Sequence, residues 1–263
     1  MTLTEQLAFA QSIFNNRYDI EKGAEPFGAI IYSNNNFIML GRSLDSTIYY
    51  TAPTPKAKIG LIVIDSVGEN KFINTIGNSY YNYYGQNGVS ITPFNNSFYF
   101  NSAYLDTFNH AHQYLFKFNQ QSDSLLLVHY FENDTSFNMI GSGCVSKNNN
   151  LYLCGQVDSS VNYSINPNMY LMKTDTLGNI IWWKTYGGSQ YETCTNMDTC
   201  SDGGFILGGW TTSFGGTDQD PYILKTDSSG NFQWDKTINS NSFNDWPAVV
   251  LSTQDGGILA VTT

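Results

Sequence analysis

Charge is scarce in this chain. Asp, Glu, Lys and Arg make up 13% of its 263 residues, about half the ~25% usual for soluble domains. The charge that is present leans acidic, with 12 basic against 22 acidic side chains and a pI near 4.5. A basic face is therefore missing, which argues against nucleic acid as a partner and against docking on anionic membrane. Long apolar runs are missing as well: none approaches the ~18 residues that a spanning helix requires, so no membrane insertion is expected. No stretch carries a 3.6-residue apolar period, so no long helix is expected. No Cys-x-x-Cys, P-loop, Gly-x-Ser-x-Gly or paired His-Glu motif occurs. No catalytic residue or cofactor is assigned on these grounds.

Asn, Ser, Thr, Tyr and Gly stand where charge is absent, and aromatics reach 15%. This is the polar, neutral surface of a secreted all-β protein more than that of a cytosolic enzyme. The aromatics can fill a core built from strands.

What the sequence does have is a repeat. Tyr170-Leu-Met-Lys-Thr-Asp175-Thr-Leu-Gly178-Asn-Ile-Ile-Trp182 and Tyr222-Ile-Leu-Lys-Thr-Asp227-Ser-Ser-Gly230-Asn-Phe-Gln-Trp234 are two close copies. Leu61 to Phe72, with Asp65 and Gly68, is a weaker copy, and Tyr114 to Asn119 is the weakest. A second anchor is a polar turn followed by an apolar run. The turns are Ser33–Asn36, Phe94–Ser97, Lys147–Asn150, Ser201–Gly204 and Gln254–Gly257. The runs open at Phe37, Phe98, Leu151, Phe205 and Ile258, in steps of 61, 53, 54 and 53. Asn and Gly dominate such turns because a tight hairpin requires positive φ. The longer first step reflects an inserted loop, Tyr49 to Lys58, carrying Pro53 and Pro55.

A period of about 50 residues with strand chemistry means a propeller or solenoid. Four antiparallel strands per unit, A to D, make a β-propeller blade. The expected fold is all-β: one β-propeller domain over 1–263, with about five blades. Its repeats run approximately 17–78, 79–136, 137–189, 190–242 and a partial 243–263. Residues 7–14 match the spacing of strand D and would close the ring, covering an exposed edge. Ala8-Phe9-Ala10 also resembles the end of a secretory signal, although the basic and apolar segments of a signal are lacking. The chain ends where a fifth strand C is due. Either the last blade is three-stranded or the sequence is a piece of a longer protein, the second reading being favoured.

The residues 202 to 209 (Asp-Gly-Gly-Phe-Ile-Leu-Gly-Gly), 222 to 234 and 183 to 188 (Trp-Lys-Thr-Tyr-Gly-Gly) resemble repeats of secreted or cell-surface β-propeller proteins of Bacteroidetes, of the type IX secretion cargo type. The resemblance is good over units three and four and loose elsewhere. It implies a secreted or cell-surface location and no defined activity. Such proteins often end in a sorting domain, which this chain lacks. Sialidase-type Asp boxes (Ser-x-Asp-x-Gly-x-x-Trp) do not match the Asp-x-x-Gly-x-x-x-Trp spacing here. Quinoprotein-type blades come closer, without evidence for a quinone cofactor.

Candidate sites are few. Asp65, Asp175 and Asp227 recur in the C–D turn and read as turn caps. Trp182 and Trp234 recur at one position and read as inter-blade core. Lys117, Lys173 and Lys225 read as solvated or paired across the sheet. His110 and His112 share one side of a strand and could offer two nitrogens to a metal, with Asp106 the nearby carboxylate. Asp218 and Asp220 form the best calcium candidate, an ordinary turn being the other reading. The cysteines read as buried small hydrophobes, or as a Cys144–Cys154 disulfide across one hairpin. Cys194 with Cys200 is disfavoured because six extended residues span ~20 Å.

The leading functional expectation is a non-catalytic binding or display scaffold, probing glycan or a surface protein and acting as a monomer. The alternative is a polysaccharide-active lyase or hydrolase on the same scaffold, which would need two acidic side chains facing each other near the axis.

Overall fold

The computed structural model describes residues 29–44, 57–77, 82–84, 91–105, 111–131, 138–158, 166–215, 219–238 and 247–262. Every element among them is a strand. The expected closing strand 7–14 and most of the inserted loop lie outside the described residues.

The chain divides into two compact units, Met1–Gln86 and Asn87–Thr263. The first holds β1 (Ala29–Ser33), β2 (Asn36–Leu44), β3 (Ala57–Asp65), β4 (Asn70–Ile76) and the short β5 (Asn82–Tyr84). β1 to β4 form one antiparallel blade in sequence order. Its third strand is Ile- and Val-rich and buried on both faces, and Met39, Ile62 and Ile64 pack together with Phe37 against them.

The second unit repeats the pattern. Its first blade comprises β6 (Ile91–Phe94), β7 (Ser97–Leu105), β8 (Ala111–Asn119) and β9 (Ser124–Phe131). The next comprises β10 (Asn138–Lys147), β11 (Asn150–Asp158), β12 (Asn168–Thr174) and β13 (Ile180–Tyr186). A further blade is β14 (Glu192–Thr199), β15 (Phe205–Thr211), β16 (Asp220–Thr226) and β17 (Phe232–Thr237). A two-stranded hairpin follows, β18 (Val249–Ser252) with β19 (Ile258–Val261). Counted along the chain, β6–β9, β10–β13 and β14–β17 are blades two, three and four, and β18–β19 is the start of the fifth.

Turn chemistry sets this register. Asn34, Asn35, Asn95, Asn96, Asn148 and Asn149 all have φ between 46° and 61°, the left-handed pair that a two-residue hairpin turn needs and Asn tolerates. The later A–B turns use Gly203 and Gly256 at φ 87° and 85° instead. Burial follows strand position: β16 is buried throughout, whereas β17 is exposed along nearly its whole length.

In the second unit the core lies between blades. Tyr99, Leu115 and Phe131 of blade two meet Leu151, Leu153 and Tyr170 of blade three. Tyr152, Cys154 and Leu171 of blade three meet Cys194, Phe205 and Leu207 of blade four. Ile206 and Ile223 of blade four meet Ala248 and Val250. The first strands of successive blades are stitched side by side. The Asn196 amide donates to the Val250 carbonyl at 2.8 Å and accepts from the Val250 N–H at 3.0 Å. The Asp198 carboxylate accepts from the Ser252 N–H at 2.8 Å.

Candidate functional site

The repeated carboxylates are turn caps. In each of three blades one Asp oxygen accepts the N–H groups two and four residues on: Val67 and Glu69 for Asp65, Leu177 and Asn179 for Asp175, and Ser229 and Asn231 for Asp227. The turn closes with Gly68, Gly178 and Gly230 at φ 88°, 86° and 74°. The Asn179 side chain holds the Asp175 carboxyl below the usual range, and the Asn231 N–H does the same for Asp227. Blade two substitutes Asn119, whose oxygen accepts from Gln121 and Ser122.

The other sequence candidates scatter. His112 lies on β8 with its Nδ1 2.6 Å from the Tyr130 hydroxyl; His110 and Asp106 lie outside the described residues. Asp220 is buried at the start of β16, and Asp218 lies outside the described residues. No group of three or more His, Cys, Asp or Glu suited to a metal occurs among the described residues. Lys225 is buried, and its ammonium meets Asp202 at 2.7 Å, the Thr226 carbonyl at 2.8 Å and Gln233 at 3.0 Å. Lys117 and Lys173 sit over the rings of Tyr99 and Tyr152, partners that strand periodicity alone does not name.

Two expectations need correction. Trp182 is partly buried against the layer between blades three and four, but Trp234 is 41% exposed. Trp182 rests on the C–D turn of the following blade, where a Cβ on Gly230 would stand 2.7 Å from its ring. The hairpin β18–β19 offers Trp234 no such turn among the described residues. The Cys144–Cys154 pairing also fails. Cys144 is opposite Leu153 and Cys154 opposite Gly143, so the two side chains point to opposite faces. They lie in different inter-blade layers, Cys144 with blade two and Cys154 with blade four.

Where polar chemistry does gather is the end of blades three and four at which the first strands begin. The D–A connection (187–191) and the B–C segment (211–214) meet there. The Tyr191 N–H donates to the Thr212 hydroxyl at 3.0 Å, and the Gln190 N–H to the Ser213 hydroxyl at 2.9 Å. Tyr191 stacks on Trp210 with centroids 4.4 Å apart and planes 9° off parallel, both half-buried. The Tyr191 hydroxyl donates to Gln156 of blade three at 2.7 Å. Phe214 stacks on Tyr222, whose hydroxyl donates to Asp235 at 2.7 Å.

Glu192 anchors this end and is fully buried. One carboxylate oxygen accepts the Thr211 hydroxyl at 2.7 Å, the other the Gly188 N–H at 2.8 Å. Gly187 is forced by this packing, since a Cβ there would run into Asn168 and Glu192. Glu192 is thus engaged on both oxygens and organises the loops around it. The sequence held one signal for this cluster, the Gly187-Gly188 step ahead of Tyr191, which reads as a turn without revealing the carboxylate beneath.

No protein-family model matches the chain, and no curated protein sequence matches it. Solved structures do. A protein of unknown function from Dyadobacter fermentans shares 7% identity over 90% of this chain and 76% of its own, with a TM-score of 0.59. The endo-arabinase from Bacteroides thetaiotaomicron shares 11% identity over 92% and 89%, TM-score 0.55. The β-1,2-mannobiose phosphorylase from Listeria innocua shares 10% over 85% and 79%, TM-score 0.51. With the four-stranded antiparallel blades, these likenesses define the class: an all-β protein of β-propeller fold. At such identity they speak to fold alone.

Proposed function

We propose that this β-propeller acts on polysaccharide as a lyase or hydrolase. The observation that supports the reading is the kinship of fold with an endo-arabinase and a mannobiose phosphorylase, two carbohydrate-active enzymes, along most of their length and most of this chain's. The end of blades three and four suits a sugar chain chemically. The Tyr191–Trp210 pair offers an aromatic face, and Gln156, Gln190 and Ser213 bring hydroxyl and amide groups to the same end. Pockets for polar ligands combine such faces with a few fixed polar groups.

A second reading has its own support. The first strands β10 and β14 carry Ser142, Ser146, Thr193, Thr195 and Asn196, and the two acids of β14 are occupied, Glu192 on both oxygens and Asp198 by the Ser252 N–H. That composition favours a non-catalytic glycan-binding or display scaffold, which needs no converging acids. Under either reading the low charge and the likeness to Bacteroidetes propeller repeats support secretion or cell-surface display.

One experiment separates the readings. The protein is incubated with arabinan, mannan and uronate-containing polysaccharides, and reducing ends, unsaturated uronate products and binding by affinity electrophoresis are measured. New reducing ends without unsaturation mean a hydrolase, and unsaturated products mean a lyase. Retardation without cleavage, lost in Trp210→Ala, supports the scaffold. Neither cleavage nor retardation on any polymer removes both.

A further inference from the structure

We propose that Cys154 and Cys194 are joined by a disulfide that links blade three to blade four. Their sulfurs lie 2.9 Å apart, inside the separation of two sulfurs merely in contact and about 0.9 Å beyond a disulfide bond of ~2.05 Å. Cys154 is on β11 and Cys194 on β14, forty positions apart in sequence. Both are fully buried in one layer with Tyr152, Leu171, Phe205 and Leu207 around them. The other two thiols are elsewhere. Cys144 faces the layer between blades two and three, and Cys200 lies past the far end of β14, packed against the layer toward Val250.

The geometry also says what the pair is not. Two thiolates bound to one tetrahedral zinc at ~2.3 Å each stand ~3.8 Å apart, farther than these sulfurs. Met169 and Met197 share the layer, but at the observed separation a bridging ion has no room between the two cysteine sulfurs.

Burial dictates when the bond forms. With the Cys154 and Cys194 sulfurs both buried in the folded protein, oxidation belongs to folding, before blade four closes on blade three. The oxidant is a disulfide, either glutathione disulfide or the active-site disulfide of a dithiol oxidoreductase. One cysteine thiolate attacks it and expels one thiolate, giving a mixed disulfide. The second cysteine thiolate attacks the protein sulfur of that intermediate and expels the other. Two protein thiols lose two protons and two electrons, and the oxidant is reduced to two thiols.

The test uses the full chain, refolded from the reduced, denatured state in a reduced/oxidised glutathione mixture. Free thiols are blocked with iodoacetamide in denaturant without reductant. Digestion with trypsin and Asp-N then places Cys154 in residues 148–157, Cys194 in residues 185–197, and Cys144 and Cys200 in other peptides. The expected result is a linked 148–157/185–197 pair that splits on reduction, with Cys144 and Cys200 alkylated. Alkylation of Cys154 and Cys194 in folded, oxidised protein overturns the proposal, as does a linkage through Cys144 or Cys200. A second measurement covers incomplete digestion. The wild-type denaturation midpoint should fall when reductant is added, while that of Cys154→Ala/Cys194→Ala should not move; equal wild-type midpoints with and without reductant also overturn it.

Discussion

The Tyr186 hydroxyl donates to the Gly230 carbonyl oxygen at 2.7 Å, pinning the last strand of blade three to the C–D turn of blade four. Trp182 lies over the same glycine, and the Lys184 ammonium reaches Asn231 beside it at 2.6 Å. One blade earlier, His129 takes the position against Gly178 that Trp182 takes against Gly230. The turn that Asp and Gly build is therefore also the seat for the preceding blade.

Gly230→Ala should consequently cost more than its backbone conformation alone. An L-residue at φ 74° costs roughly 1–2 kcal/mol. The new Cβ would also press on the Trp182 ring, and overpacking adds ~1–3 kcal/mol. Gly203→Ala is the matched comparison, with φ 87° and its nearest neighbour 3.6 Å away. Urea denaturation should show Gly230→Ala clearly below Gly203→Ala; equal midpoints would remove the inter-blade seat.

The two repeat tryptophans should part company. Trp182→Ala opens a gap between two blades and should cost about 3 kcal/mol, the low end for a large aromatic in a core. Trp234→Ala removes a ring that is 41% exposed and should cost clearly less than Trp182→Ala, because more of its surface stays in water on folding. Denaturation midpoints of the two variants check this. Equal losses would mean that the second ring is buried after all.

These two residues also mark the boundary of what the sequence could reveal. Turns were legible because positive φ restricts residue choice, so Asn148-Asn149 and Asp175-x-x-Gly178 announce themselves. Blade membership was legible because the turns recur at a fixed step. Burial of a repeated Trp was not, because it depends on whether a neighbouring blade presents its own turn. Nor was the partner of Cys154, which lies in another blade, or the ammonium site of Lys225, which rests on Asp202 in a turn that blades two and three build from Asn. Glu192 was invisible for a further reason: a single carboxylate opening a strand looks solvent-facing until the Gly187-Gly188 loop folds over it.

Acid should weaken the C–D turns. The carboxyls of Asp175 and Asp227 are held below their ordinary range by bonds to Asn179 and Asn231. A depressed folded-state pKa stabilises above the unfolded value of ~3.9, and that contribution disappears as pH falls through the lower folded value. Asn keeps one acceptor and does not titrate. Asp175→Asn and Asp227→Asn should therefore both lie below wild type at about pH 7 and approach it at about pH 3. Both should leave polysaccharide binding or cleavage unchanged, as Asn119 in blade two already implies. If one of them alone abolished that activity, its blade would hold a site rather than a cap.

Glu192→Gln should lose stability, on a structural rather than a catalytic account of this acid. Both carboxylate oxygens accept, from the Thr211 hydroxyl and the Gly188 N–H. A glutamine must turn its NH2 group toward one of them. Toward Gly188 it sets donor against donor. Toward Thr211 it meets an oxygen that already accepts from the Ser213 N–H at 2.9 Å and the Phe214 N–H at 3.3 Å. Either way a buried polar group goes unpaired, at a cost of about 1–3 kcal/mol. The Tyr191–Trp210 end should loosen with it, so any polysaccharide binding should weaken in step with the midpoint. A variant with wild-type stability that nonetheless loses all cleavage would show instead that Glu192 donates or accepts a proton in the reaction.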